Sequence, residues 1–170
     1  MSSTPFRRRS LDAALDRTAF ASGSEPLDRY CREQVNQDVI RRVAACFVAL
    51  ADGERIAGYY TLASASVLLE QLPATTAKKL PRYPTVPAVR LGRLAVDQAF
   101  KGQGLGGALL ADGLDRAARA EIAAYALLVD AKDESAAAFY GHHGFIALQD
   151  SPQSLFLPLA TAMTARKLAI

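Results

Sequence analysis

Residues 90–107 read Arg-Leu-Gly-Arg-Leu-Ala-Val-Asp-Gln-Ala-Phe-Lys-Gly-Gln-Gly-Leu-Gly-Gly, and no other stretch narrows the possible folds so far. An apolar strand carrying Leu91, Leu94, Ala95 and Val96 gives way to a short polar turn and then to four glycines in six residues. Leu105, Leu109, Leu110, Leu114, Ala117 and Ala118 follow at the spacing of one helix face. Glycines just before a helix leave backbone N–H groups uncovered where the helix dipole is already positive. Such a place binds phosphate.

The rest of the chain supplies a sheet and helices around that turn. Ser24 and Pro26 mark a helix start, and the stripe Leu27, Tyr30, Cys31, Val35, Val39 and Val43 predicts a helix ending near Ala44. Strands predicted over residues 45–51 and 55–64 flank Asp52-Gly53, a hairpin turn. Residues 67–72 suggest a short helix, while Pro73, Pro81, Pro84 and Pro87 make the rest of 66–87 a loop of the length that is functional or mobile. The glycine helix runs to about residue 121, and the apolar run 125–130 suits the centre of a sheet covered on both faces. Asp133 or Ser135 caps a short helix over 136–143, which Gly144 ends in the left-handed region. Strands follow over 145–148 and 155–159, Pro158 demoting the last toward an edge. This order predicts an α/β fold with a mixed, mostly antiparallel sheet of about six or seven strands flanked by helices. Residues 1–170 form a single domain in this reading, with residues 1–10 and 160–170 as candidate flexible ends, the latter alternatively a helix.

Composition excludes more than it selects. A chain of 170 residues buries a real core, has no apolar run of membrane-span length, and starts without the apolar segment of a signal peptide. The expectation is a cytoplasmic protein. Cys31 and Cys46 form no CxxC and read as reduced thiols; His142 and His143 read as solvated helix-end residues, so no metal site is expected. Net charge is only +3, yet residues 71–96 hold Lys78, Lys79, Arg82, Arg90 and Arg93 and no acid. That is either a solubilising face or a footprint for a polyanion, to which Arg41 and Arg42 are weaker candidates.

Three phosphate-loop patterns compete for the glycines. A Walker A loop requires Gly-Lys-Ser/Thr, but Ala108 and Leu109 follow Gly107. The dinucleotide pattern GxGxxG matches Gly102, Gly104 and Gly107, and Asp130 ends the next strand; against it, residues 97–101 separate the strand from the first glycine. The third is the Arg/Gln-x-x-Gly-x-Gly/Ala acetyl-CoA loop of the GNAT N-acetyltransferases, which Lys101-Gly-Gln-Gly104-Leu-Gly106 resembles, with lysine at the first position. Ala138-Phe-Tyr-Gly-His-His-Gly-Phe145 resembles the FYxxxGF signature of the same family, in the family's order. Ile56-Ala-Gly-Tyr-Tyr-Thr-Leu-Ala-Ser-Ala-Ser-Val67, the basic proline-rich loop and Leu91-Gly-Arg-Leu-Ala-Val-Asp97 resemble its toxin branch, whose members pair with antitoxins.

The resemblance implies an acetyltransferase toxin that moves acetyl from acetyl-CoA to the α-amino group of aminoacyl-tRNA and blocks translation. It implies a ribbon-helix-helix antitoxin as partner and a homodimer. On the cofactor side it implies backbone contacts from Leu94, Ala95 and Val96 to the pantetheine arm. Lys101, Gly102, Gln103, Gly104, Leu105, Gly106 and Gly107 would surround the pyrophosphate. Tyr140 becomes the general acid, and Lys78, Lys79, Arg82, Arg90 and Arg93 the tRNA contacts. Asp133 stands where many members have a cofactor-binding asparagine, so only a capping role is expected of it. Tyr59, Tyr60 and Ser64 are candidates for the acceptor pocket or, equally, for core packing. No general base is visible; an α-amine titrating near ~7.7–8.0 hardly needs one, whereas a lysine amine near ~10.4 does. The alternatives are a GNAT enzyme acting on protein N-termini or small amines, and a non-catalytic module that binds acyl-CoA or nucleotide.

Overall fold

The computed structural model describes residues 6–168. Residues 1–5 and 169–170, to which the expectation of flexible ends also applies, lie outside the described residues. The elements are β1 (Arg7–Ser10), α1 (Glu25–Arg29), a π turn (Tyr30–Gln34), α2 (Val35–Ile40), β2 (Ala45–Ala51), β3 (Arg55–Leu68) and α3 (Ala74–Ala77). There follow β4 (Thr85–Val96), α4 (Leu105–Arg119), β5 (Ala126–Asp130), α5 (Glu134–His142), β6 (Ile146–Leu148), β7 (Ser151–Pro158) and α6 (Leu159–Leu168). Seven strands form one sheet in the order β1-β2-β3-β4-β5-β7-β6. β4 and β5 pair in parallel, whereas β1–β2, β2–β3, β5–β7 and β6–β7 are antiparallel. The α/β fold expected from the element order is the fold observed.

The chain divides into two compact units, one of residues 6–63 and 92–113, the other of residues 64–91 and 114–168. In the first, a core of Phe20, Tyr30, Cys31, Val35, Val48, Leu50, Ile56 and Tyr59 fills the space beside the sheet. Tyr59 and Tyr60 are adjacent on β3 and both fully buried. Their hydroxyls donate to Leu27 O and to Asp112, so the core reading of these two tyrosines holds, and Ser64 is exposed. In the second, Val67, Leu72, Val86, Ala88, Ala126, Leu128 and Phe156 make a separate core.

Several boundaries differ from the sequence expectation, each for a local reason. The first helix ends at Ile40, not Ala44: Arg42 takes φ 62, and Val43 N–H and Arg42 N–H bond back to Asp38 O and Val39 O. That is a Schellman closure with arginine where glycine is usual, and it leaves Val43 exposed. Ser24 occupies the N-cap position without a side-chain bond to the helix. Residues 7–10 form a strand because all four pair with β2. β3 and β4 extend into what the prolines marked as loop. Leu69 N–H binds Pro84 O, and the Gln149 amide groups bind Gln71 O and Leu72 O, so residues 66–87 are tied down. β7 lies between β5 and β6 rather than at an edge. Leu159 N–H bonds to Tyr125 O, which turns the Pro158 nitrogen away from β5, and the β6 pairing stops at Phe156.

Candidate active site

In the first unit the glycine stretch is built as the spacing predicts. β4 pairs with β5 over Ala88–Leu91 and runs on, so Leu94, Ala95 and Val96 lie beyond that ladder. Residues 97–101 turn the chain, and Gly102 and Gly104 take φ 82 and 78, where an L side chain is strained. A Cβ at either position would meet nothing within 4 Å, so the surface over both is open. Ala108 N–H makes the first helical bond, to Gly104 O at 3.1 Å. The N–H groups of Gly104, Leu105, Gly106 and Gly107 therefore have no acceptor within the helix, the arrangement that receives an anion. Lys101, Gly102, Gln103 and Gly104 are exposed, while Leu105 and Leu109 are buried and anchor the helix start.

Gly58, which the sequence does not advertise, permits that anchoring. A Cβ there would sit 2.8 Å from Leu109 Cδ1 and 3.0 Å from Ala95 O. Lys101 is not a free cation: its Nζ donates to Ser22 O at 2.6 Å. Arg93 lies with its guanidinium 3.6 Å from the centre of the Tyr30 ring. The Tyr30 hydroxyl donates to Asp38 at 2.8 Å. Burial first, then Asp38, raises that phenol's pKa.

In the second unit, α5 carries the Phe-Tyr pair. Asp133 caps it by accepting from Ala136 N–H at 2.8 Å, the role expected of it. Gly144 at φ 94 ends it, with Phe145 N–H returning to Tyr140 O. Tyr140 is 8% exposed, its ring 5.2 Å from Phe139 and 5.5 Å from Phe145, and Phe139 is only half-buried. Among the described residues nothing hydrogen bonds its hydroxyl, and that oxygen is not among the buried unpartnered atoms. Burial alone pushes the phenol up to about 12. It therefore stays protonated at neutral pH, as a proton donor must.

The basic residues are not equivalent. Lys78, Lys79 and Arg82 are exposed, whereas the Arg90 guanidinium pairs with Asp130, whose other oxygen accepts from Ser154 at 2.9 Å. Arg90 thus has an acidic partner at the surface and Arg93 lies against an aromatic ring, whereas Lys78, Lys79 and Arg82 are exposed. Cys31 and Cys46 are free, buried thiols, pushed up to about 11 and about 12 by burial. His142 and His143 are exposed at the end of α5. Among the described residues no cluster of His, Cys, Asp and Glu is arranged for a metal, and no helix is long and apolar enough to cross a membrane.

A family model for the GNAT acetyltransferases matches residues 10–145, which span β4, the glycine loop and α5. The chain belongs to the GNAT family. It is an acetyltransferase of that family, and the dinucleotide and Walker readings of the glycines fall away. This GNAT chain is similar to a tRNA-acetylating toxin of Mycobacterium tuberculosis, 38% identical over 156 residues that cover 91% of this chain and 92% of the relative. Among solved structures it resembles AtaT complexed with acetyl-methionyl-tRNAfMet, at 28% identity and a TM-score of 0.88, covering 95% of this chain and 99% of that one. It also resembles an AtaT tyrosine-to-phenylalanine mutant bound to acetyl-CoA and the C-terminus of the antitoxin AtaR, at 25% identity and a TM-score of 0.80, covering 95% and 98%.

Proposed function

We propose that this chain is a toxin that transfers acetyl from acetyl-CoA to the α-amino group of aminoacyl-tRNA and so stops translation. The observation that carries the reading is the 38% identity, over nine-tenths of both chains, to a tRNA-acetylating toxin. A GNAT loop with open N–H groups and a protonated buried tyrosine supports it from the side of the chemistry.

Acetyl-CoA, when bound, supplies the acetyl group as a thioester. The N–H groups of Gln103, Gly104, Leu105, Gly106 and Gly107 hold its pyrophosphate, with Gly102 shaping the turn and Lys101 adjoining. The backbone of Leu94, Ala95 and Val96 binds the pantetheine arm as an added strand, and one N–H there polarises the carbonyl. Tyr140 would donate its phenolic proton to the departing sulfur, and the proton that the attacking amine loses would restore the phenol. Lys78, Lys79 and Arg82 hold the acceptor stem of the tRNA by charge, an interaction that salt weakens. Arg90 and Arg93 contribute by fixing β4 rather than as free phosphate ligands. The partner is a ribbon-helix-helix antitoxin and the active assembly a homodimer, acting in the cytoplasm where charged tRNA is found.

The deciding experiment incubates the protein with labelled acetyl-CoA and either charged or deacylated tRNA. Label on the aminoacyl group alone is the expected result. Label on protein N-termini or small amines, with charged tRNA untouched, would overturn the reading in favour of an ordinary GNAT enzyme.

A further inference from the structure

The segment from Phe20 to Gly23 lies outside every helix and strand, yet each of its residues is committed to a neighbour. Phe20 is buried, its ring 5.4 Å from that of Tyr59, and its carbonyl accepts from Arg32 of the π turn at 3.0 Å. Ala21 N–H donates to Asp97 Oδ2 at 3.1 Å, and Ala21 O accepts from Gln98 N–H at 2.9 Å. Ser22 N–H and Oγ both donate to the buried Asp28, at 2.9 and 2.6 Å, while Ser22 O accepts from Lys101 Nζ. Gly23 takes φ 97, where an L side chain is strained, and lies beside the Gln98 side-chain amide.

One edge of this strap is thus held by the α1–π-turn helix and the other holds residues 97–101, the turn that leads into the glycines. The turn is closed by Phe100 N–H to Asp97 O at 2.9 Å and joined to β3 by Asp97 N–H to Ala57 O at 2.8 Å. Asp97, 3% exposed, caps it through Ala99 N–H at 2.9 Å and meets Arg55 at 3.5 Å. Arg55 also lies over the Phe100 ring at 5.1 Å, and the strap adds the two Ala21 bonds and the Lys101 bond.

We infer that residues 20–23 are a positioning element for the phosphate loop, and that Lys101 acts on the cofactor as the strap's tether, through Ser22 O, and not as a direct cation for the pyrophosphate. The inference rests on reading residues 102–107 as the acetyl-CoA cradle. Ser22 and Asp28 are then positioning residues that set the loop's N–H directions without touching the cofactor. The sign of the effect follows from pre-organisation: a loop that must be ordered on binding gives weaker affinity at unchanged chemistry.

The test measures CoA binding by calorimetry on the full chain, without acceptor, for the native protein, Ser22→Ala, Lys101→Met and the double variant. Ser22→Ala keeps the carbonyl that holds Lys101 but removes the hydroxyl that fixes it to Asp28. It is expected to weaken CoA about three- to tenfold, and to raise the acetyl-CoA KM while leaving kcat at saturation unchanged. It should add less once Lys101 is methionine than it does in the native chain, because only the Ala21 bonds then join strap and turn. An unchanged CoA affinity in Ser22→Ala, or losses that multiply in the double variant, overturns the inference. If Ser22→Ala does not fold, Lys101→Met decides, since that side chain is exposed: weaker CoA binding with an unchanged salt dependence supports the tether, and a shallower salt dependence or unweakened binding overturns it. A native chain that binds CoA but leaves aminoacyl-tRNA unlabelled breaks the proposed function and leaves this inference standing; one that binds no CoA breaks both.

Discussion

The glycine loop and α5 carry the proposed chemistry by opposite means. The loop works through N–H groups that nearly every residue type has, and asks of its residues only a left-handed turn at 102 and 104 and an open surface. α5 works through one oxygen that a single residue type supplies, on a ring packed between Phe139 and Phe145. The lesson is that damage to the loop is read in affinity and damage to α5 in rate. Gly58 provides the control, being a glycine kept for packing alone: its missing Cβ makes room for Leu109.

Tyr140→Phe is the largest test of that contrast. It keeps the ring in its packing and removes the proton, so kcat should fall by roughly 10²–10⁴ with the acetyl-CoA KM unchanged. Comparable losses in both would place the hydroxyl in cofactor binding and erase the distinction. Its pH dependence adds a check. Burial raises the phenol to about 12, so kcat should not decline between neutrality and pH ~10. The same shift favours the protonated folded state; its contribution to stability is complete below the ordinary phenol pKa and is lost as pH rises through about 12.

Next come two glycines with the same substitution. Gly58→Ala forces a methyl to 2.8 Å from Leu109 Cδ1 and 3.0 Å from a backbone oxygen, so thermal unfolding should report a loss of ~1–3 kcal/mol. Gly104→Ala meets no atom but holds φ 78, and the ~1–2 kcal/mol of backbone strain should appear mainly as weaker CoA binding. A Gly104→Ala protein that binds CoA normally would show that the loop's left-handed turn is dispensable.

The smallest effect is expected on the surface. Lys79→Ala should weaken tRNA uniformly and reduce the salt slope by about 1, whereas Arg90→Ala should leave the slope alone and, its pair with Asp130 lying at the surface, change stability by no more than ~1 kcal/mol. Salt titration of the tRNA KM separates the two. Equal slopes for both variants would return Arg90 to the phosphate-binding set.

Legibility followed the range of the interactions. The strand–glycine–helix turn, the Asp133 cap, the Gly144 stop and the apolar strand at 126–130 are written in a few adjacent residues, and each formed where its spacing indicates. The helix end at Arg42 was not legible because a non-glycine residue took the left-handed position. The lengths of β3 and β4 were hidden because prolines suggest loops until a partner strand is known. The partners of Arg90 and Arg93 were not legible in the sequence, since what meets a cation is set by residues far along the chain.

The sequence by itself thus determined the glycine turn and the helix bearing Tyr140, because glycine content and periodicity are properties of neighbouring residues, and its motifs carried the resemblance to the family. Only the tertiary structure decided that Lys101 is tied to Ser22, that Asp97 is buried beneath the strap, and that Gly58 serves packing. Those facts join positions more than thirty residues apart in the chain, and a long-range hydrogen bond or a close packing contact leaves no local pattern to read.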